Sequence, residues 1–166
     1  MKRLLFYLLR FVSFISRAFS HRLYNKLIVK ANKLIGVEFN GLPEYIDYSA
    51  HIDASGGLSI GDGCVISVNV IILTHDWSFL CRYKAQKITP PNGYLFDKQA
   101  FNSVLVGDGT FIGAGAIVLP GSHIGKYCII GAGAVVKGTI EDYAIVVGNP
   151  ARKIGDTRDP KYKLLE

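Results

Sequence analysis

The sequence predicts an all-β main domain, a parallel β-helix of hexapeptide repeats, with an N-terminal amphipathic helical arm and one long excursion loop. Three observations predict it. An aliphatic residue returns every six positions at Val106, Ile112, Val118, Ile124, Ile130 and Val136, followed directly by Gly107, Gly113, Gly125 and Gly131 in four cases. The fifth position of the hexads is small at Thr110, Ala116, Ser122, Cys128 and Ala134, with Ile140 the exception. An earlier run, Ile46, Ile52, Ile60, Ile66 and Ile72, keeps the same step except between Ile52 and Ile60, where it is eight. A period of six is neither the helical period nor strand alternation. It is an internal repeat, and such repeats stack short strands into coils that no single repeat can stabilise alone.

In chain order, residues 1–36 read as a basic amphipathic arm of one helix or two, with Gly36 as a stop. Arg3, Arg10 and Arg17 recur every seven residues with Ser13 and Ser20 near them, and Leu4, Leu5, Leu8, Phe11, Val12, Ile15 and Phe19 cover the rest. Farther on, Arg22, Lys26 and Lys30 step by four, expected opposite Leu23, Leu27 and Leu34. The apolar stretch between Arg3 and Arg17 is 13 residues long and contains Arg10, whereas a span needs about 20. A helix lying in a membrane interface fits better; packing on protein is the alternative.

Residues 37–155 are the β-helix domain. Each inward aliphatic contributes about 1.5–3 kcal/mol on burial, and the Gly after it is expected to supply a positive φ at a corner. The eight-residue step places a phase slip at Gly56-Gly57. The 34 residues from Ile72 to Val106 are not a multiple of six, so a loop, residues 77–103, leaves the prism there. It carries a turn signal at Pro90-Pro91-Asn92-Gly93 and aromatics that include Trp77, Tyr83, Tyr94 and Phe96. A long loop in a compact repeat domain points to function. Residues 156–166 form a polar tail.

Charge is uneven. Residues 1–35 hold eight Lys and Arg and no acid, against +6 for the whole chain, so residues 36–166 carry a net −2. The basic character belongs to the arm, which argues against nucleic acid as a partner. Cys64, Cys81 and Cys128 show no zinc or disulfide spacing and suit a reducing cytoplasm. Cys64 and Cys128 sit at small fifth positions and read as core.

Of the four histidines, His75 stands at the end of a coil, directly before the loop, where a group titrating near neutrality suits general-base work. His51 and His123 are expected at exposed coil corners, and His21 on the helix.

The ordered series Ile72-Leu73-Thr74-His75-Asp76, Val106-Gly107-Asp108-Gly109-Thr110-Phe111-Ile112-Gly113-Ala114, Leu119-Pro120-Gly121, Ile130-Gly131-Ala132-Gly133-Ala134-Val135-Val136 and Val147-Gly148-Asn149-Pro150-Ala151-Arg152 resembles the hexapeptide-repeat acyltransferases. Within them it is most similar to the maltose- and galactoside-type and the capsule and exopolysaccharide sugar O-acetyltransferases. The resemblance implies a left-handed β-helix, a homotrimer with sites between subunits, and acetyl-CoA as co-substrate with no metal required. It implies an acetyl-CoA-dependent O-acetyltransferase that modifies a saccharide hydroxyl in cell-surface polysaccharide biosynthesis, on an acceptor that is soluble or lipid-linked. His75 falls on the family's general base. Ala114, Ala132, Lys137 and Arg152 fall on or beside its CoA contacts; Lys137 is displaced by one residue from the usual place.

Asp76 is a candidate to orient His75 or the acceptor, with a strand-end cap as the alternative, and Asn69, Trp77 and Tyr83 are candidates to bind acceptor. Glu44 and Asp47 lie where the family often has an acceptor-binding acid. The expected place is the cytoplasm, with a peripheral position on the inner face of the membrane. An amino-sugar N-acetyltransferase and a non-catalytic β-helix scaffold stay open as alternatives. Serine acetyltransferase lacks support because its long helical N-terminal domain has no counterpart. A γ-class carbonic anhydrase needs three His ligands, which His75 and His123 do not supply.

Overall fold

The computed structural model describes residues 1–89 and 100–162. The turn signal at residues 90–93 and the loop aromatics Tyr94 and Phe96 lie outside the described residues. The arm is two helices, α1 (Lys2–Ser16) and α2 (His21–Leu34). Ser20 caps α2, its side chain accepting from the Leu23 N–H at 3.3 Å, which satisfies one of the helix's free first-turn donors. Gly36, at φ +100°, carries the chain out of the helix.

The prism follows as short strands: β1 (Val37–Asn40), β2 (Tyr45–Ile46), β3 (His51–Ile52), β4 (Leu58–Gly61), β5 (Val65–Ile66) and β6 (Ile71–Ile72). After the loop, which contains helix α3 (Phe79–Gln86), come β7 (Val104–Val106), β8 (Phe111–Ile112), β9 (Ile117–Val118), β10 (His123–Ile124), β11 (Ile129–Ile130), β12 (Val135–Val136), β13 (Thr139–Ile140), β14 (Ala144–Val147) and β15 (Arg152–Asp156). Every third strand shares a sheet. The first sheet runs β1-β4-β7-β10-β13, the second β2-β5-β8-β11-β14 with β15 added antiparallel, and the third β3-β6-β9-β12. All other pairings are parallel, so this is a three-sided parallel β-helix, consistent with the left-handed hexapeptide form.

The hexad aliphatics point inward as expected. Ile46, Ile66, Ile112, Ile130 and Val146 form one buried column, and Ile52, Ile72, Val118 and Val136 another. The small fifth-position residues Cys64, Thr110, Ala116, Ser122, Cys128 and Ala134 are buried beside them, and Ile140 is partly exposed. His51 and His123 are corrected: they lie on strands β3 and β10 and point outward, because each directly precedes an inward Ile.

The role expected of the glycines is also corrected. Gly107, Gly113, Gly125 and Gly131 do not have positive φ. The left-handed corner residues are Gly63, Asn69, Gly109, Gly115, Gly121, Tyr127 and Gly133, six apart within each run. The post-aliphatic glycines are required by closeness. A Cβ on Gly107 would lie 2.6 Å from the Gly125 carbonyl carbon, and one on Gly113 2.7 Å from the Ala132 nitrogen. Along the edge between the first and second sheets, Asp108 folds over Gly61 and Asp142 over Gly125, and each takes a backbone N–H. Asp108 accepts from the Asp62 N–H at 3.0 Å, and Asp142 from the Lys126 N–H at 2.8 Å.

The arm packs on the first coils. On α2 the buried face is Tyr24, Ile28, Ala31 and Asn32 rather than Leu23, Leu27 and Leu34. Tyr24 donates to the Ile46 carbonyl at 2.6 Å and stacks on Tyr45, while Asn25 donates to the Glu44 carbonyl. These polar anchors rotate the helix away from the face that hydropathy alone would choose. Asp47 is buried under Tyr45, Ser49 and Arg17.

The two kinds of corner glycine separate by mutation. Gly107→Ala forces the backbone of the next coil to move and is expected to destabilise the fold by about 1–3 kcal/mol. Gly115 has φ +67° and open space around it, and Asn69 occupies the equivalent place one coil below. Gly115→Asn is therefore expected to change stability by about 0.5 kcal/mol or less. Urea unfolding of the two variants checks the contrast.

Candidate active site

The phase slip builds the site. Gly56 N–H donates to the Thr74 hydroxyl at 2.8 Å, and a Cβ on Gly56 would run into the Thr74 carbonyl. Gly57, at φ +95°, accepts from the Val104 N–H, so the slip receives both ends of the excursion. Those ends are tied together: Asn102 N–H donates to the Thr74 carbonyl and Asp76 N–H to the Ala100 carbonyl, each at 2.8 Å. His75, between them, bridges Phe101.

The imidazole is held from below. Ile52 pairs with Ile72, so Asp53 stacks under Leu73 and reaches the residues that follow. Its Oδ2 accepts from the His75 Nδ1 at 2.7 Å, from the Thr74 hydroxyl at 2.7 Å and from the Thr74 N–H at 2.8 Å. Its Oδ1 accepts from the Ser55 N–H at 3.0 Å, and the Ser55 hydroxyl lies 3.2 Å from Nδ1. Burial opposes ionisation of Asp53, but the bonds from Ser55 and Thr74 outweigh it and hold its carboxyl well below the usual range. An ionised Asp53 accepts from a proton carried on Nδ1, which leaves the lone pair on Nε2.

Asp76 is not the partner of the imidazole. Its carboxylate accepts from the Ser78 N–H and hydroxyl, each at 2.8 Å, bonds that hold it below its usual pKa. The carboxylate in contact with the imidazole is that of Asp53. It lies 22 residues before His75, and only the stacking of Ile52 under Ile72 would have pointed to it.

A cavity of about 430 Å³ opens at His75, lined by Leu73, Asp76, Ser78, Arg82, Asn102, Leu119, Pro120 and Lys137. Leu73, Leu119 and Lys137 each directly follow a third-sheet strand, so they stack along the edge between the third and first sheets. Arg82 and Asn102 come from the excursion and escaped the sequence reading. Trp77 meets His75 edge-on at 6.2 Å and Phe101 at 6.0 Å. Tyr83 packs on the buried Phe79, which packs on Trp77. This aromatic chain anchors the excursion beside the site.

Asn69, Ala114 and Ala132 do not line the cavity at His75. They stack on a different edge, between the second and third sheets; Gly115 N–H donates to the Val68 carbonyl and Gly133 N–H to the Ala114 carbonyl, both at 2.9 Å. The left-handed backbone of Asn69 accounts for an Asn there. Ala151 N–H donates to the Val135 carbonyl at 2.9 Å, placing the exposed Arg152 near the upper end of that edge. Among the described residues no group of three or more His, Cys, Asp or Glu could hold a metal ion.

Residues 103–138 match the family pattern described as bacterial transferase hexapeptide (six repeats), and residues 50–74 match the hexapeptide repeat of succinyl-transferase. "Probable acetyltransferase Rv3034c" of Mycobacterium tuberculosis is 34% identical over 114 residues, which are 60% of this chain and 37% of that protein. The dTDP-3-amino-3,6-dideoxy-alpha-D-galactopyranose 3-N-acetyltransferase of Aneurinibacillus thermoaerophilus is 44% identical over 54 residues, 32% of this chain and 28% of that protein. The chain thus spans well under half the length of these curated relatives. The galactoside acetyltransferase solved in complex with coenzyme A superposes with a TM-score of 0.57 over 98% of this chain and 84% of its own, at 22% identity. That likeness shows the shared fold.

The Asp53 bonds carry a pH signature. A carboxyl whose folded-state pKa is depressed adds stability that is present above its unfolded value, here 3.8, and is lost as pH falls through the folded value. The stability gap between the wild type and Asp53→Asn is expected to be constant above about pH 5 and to narrow as pH falls below 3.8. Thermal melts of both proteins across that range check it.

Proposed function

We propose that this chain, two stretches of which match hexapeptide-repeat transferase patterns, moves an acetyl group from acetyl-CoA to a hydroxyl of a saccharide acceptor, with His75 as general base. The observation that carries this reading is the buried side of His75. His75 lines the cavity, and its Nδ1 lies 2.7 Å from Asp53; a proton shared with an ionised Asp53 at Nδ1 leaves Nε2 to accept another. The acceptor oxygen gives its proton to Nε2 as it bonds to the thioester carbonyl carbon. The carbon–sulfur bond then breaks, and the proton passes from Nε2 to the departing thiolate. Asp53 offsets the positive charge that the imidazole gains in between. It acts through His75 and is a positioning residue. Lys137 and Arg82, the two cations lining the cavity, suit negative charge developing on a carbonyl oxygen.

Ala114, Ala132 and Arg152 lie on another edge of the prism than His75, so one copy does not unite them with the base. A homotrimer that sets this edge of one copy against the His75 edge of the next completes the site, with the two alanines leaving room for a pantetheine arm and Arg152 available to phosphate. We place the protein in the cytoplasm, acting on surface-glycan precursors, lipid-linked ones included. A second reading, transfer to an amine of an amino sugar, draws support from the N-acetyltransferase relative.

The test is mass spectrometry of saccharide acceptors incubated with acetyl-CoA. A gain of one acetyl group is expected with the wild type, removable by mild alkali because it is an ester. An alkali-resistant gain identifies the amine reading. His75→Ala is expected to lower turnover by about 10²–10⁴-fold while retaining CoA binding. Asp53→Asn is expected to lower kcat with little change in KM. Transfer at the wild-type rate by His75→Ala would remove the base assignment.

A further inference from the structure

Helix α1 is mounted with its polar face inward. Ser13 and Ser16 are buried, Arg10 donates to the Ala50 carbonyl at 3.3 Å, and Arg17 lies 3.5 Å from the buried Asp47. The opposite face carries Leu4, Leu8, Phe11 and Ile15, spaced by four, three and four residues. That spacing puts them in one line along the helix. They are 76%, 54%, 63% and 48% exposed, and Leu5, Val12 and Phe19 widen the surface. An ordinary surface helix buries such a stripe. Here the protein uses the small hydroxyl side chains for its own packing and leaves the apolar line free.

Charge decides what covers it. Among residues 1–37 there is no carboxylate. Lys2 and Arg3 stand exposed at the start of α1, and Arg22, Lys26, Lys30 and Lys33 project outward from α2, whose other face is fixed on the β-helix. An apolar stripe bordered by unopposed cations is complementary to acyl chains beneath anionic headgroups. Two copies meeting through this face would bring like charge to like charge. The helix, about 22 Å long, is too short to cross a bilayer, and among the described residues no helix is long and apolar enough to do so.

We infer that α1 lies in the interface of an anionic lipid bilayer, with Leu4, Leu8, Phe11 and Ile15 in the acyl boundary and the cations of both helices on the headgroups. Because the opposite side of α1 is bonded to the β-helix at Ala50 and Asp47, docking seats the prism at the lipid surface as one rigid unit. The inference is independent of the acyl-transfer reading, since lipid binding is measured without acetyl-CoA.

The experiment is co-sedimentation of the full chain with vesicles of phosphatidylcholine alone and of phosphatidylcholine with phosphatidylglycerol. Binding is expected to the anionic vesicles, weaker on the neutral ones, and weakened by added salt. The double variant Leu8→Glu with Phe11→Glu, which alters two exposed positions, is expected to bind at least about tenfold more weakly. Leu42→Glu, at an exposed apolar residue of the β-helix, is expected to bind as the wild type does. No binding by the wild type overturns the inference. So does binding that survives Leu8→Glu with Phe11→Glu, or a loss of self-association in that variant with vesicle binding unchanged, which would make the face a contact between copies.

Discussion

Each coil of this protein exists because another coil lies directly above or below it. A strand of two residues has no stability of its own, and its N–H and C=O groups find partners only in the strands stacked on either side. Register is therefore the governing constraint. Once Ile66 sits between Ile46 and Ile112, the direction of every neighbouring side chain follows, because shifting a strand by one residue would turn the aliphatic column to solvent. The buried columns, the three edges and the position of the catalytic candidate all derive from that stacking.

Register also explains where glycine is required. The edges are the places where successive coils come closest, and three of them per turn leave no slack. At Gly107 and Gly113 the next coil's backbone occupies the space that a Cβ needs. At the left-handed corners three residues after Ile60, Ile66, Val106, Ile112, Val118, Ile124 and Ile130 the demand is different. There the backbone takes a positive φ, which Asn69 and Tyr127 adopt as well as the glycines. Spacing and conformation thus impose separate demands on neighbouring positions of one hexad.

The candidate site is a local departure from this regularity. The two extra residues at Gly56-Gly57 open the third coil edge, admit both ends of the excursion, and bring Asp53, Ser55 and Thr74 around one imidazole. A strictly six-residue chain would have put a buried aliphatic on that path. His75 lies beyond a third-sheet strand, whereas Ala114 and Ala132 follow second-sheet strands, so they stand on different edges of the prism. The division suits chemistry shared between copies of one chain, as proposed above.

The periodicity of the sequence alone determined the parallel β-helix, its inward residues, the slip at Gly56-Gly57 and the departure of a loop after Ile72, because a six-residue repeat has one stable way to bury its aliphatics. The resemblance to hexapeptide-repeat acyltransferases followed from the order of motifs along the chain, and His75 stood out by its place at the end of a coil. Three things were decided only by tertiary structure. The acid bonded to His75 is Asp53 rather than the adjacent Asp76, since contact between residues 22 apart depends on coil length and not on sequence proximity. The reason for glycine after the aliphatic is the approach of the neighbouring coil, which a one-dimensional reading does not contain. The face that α1 turns to the protein is the polar one, because bonds to Ala50 and Asp47 fix the helix from below, and hydropathy records which face is apolar but not which face the rest of the chain will hold.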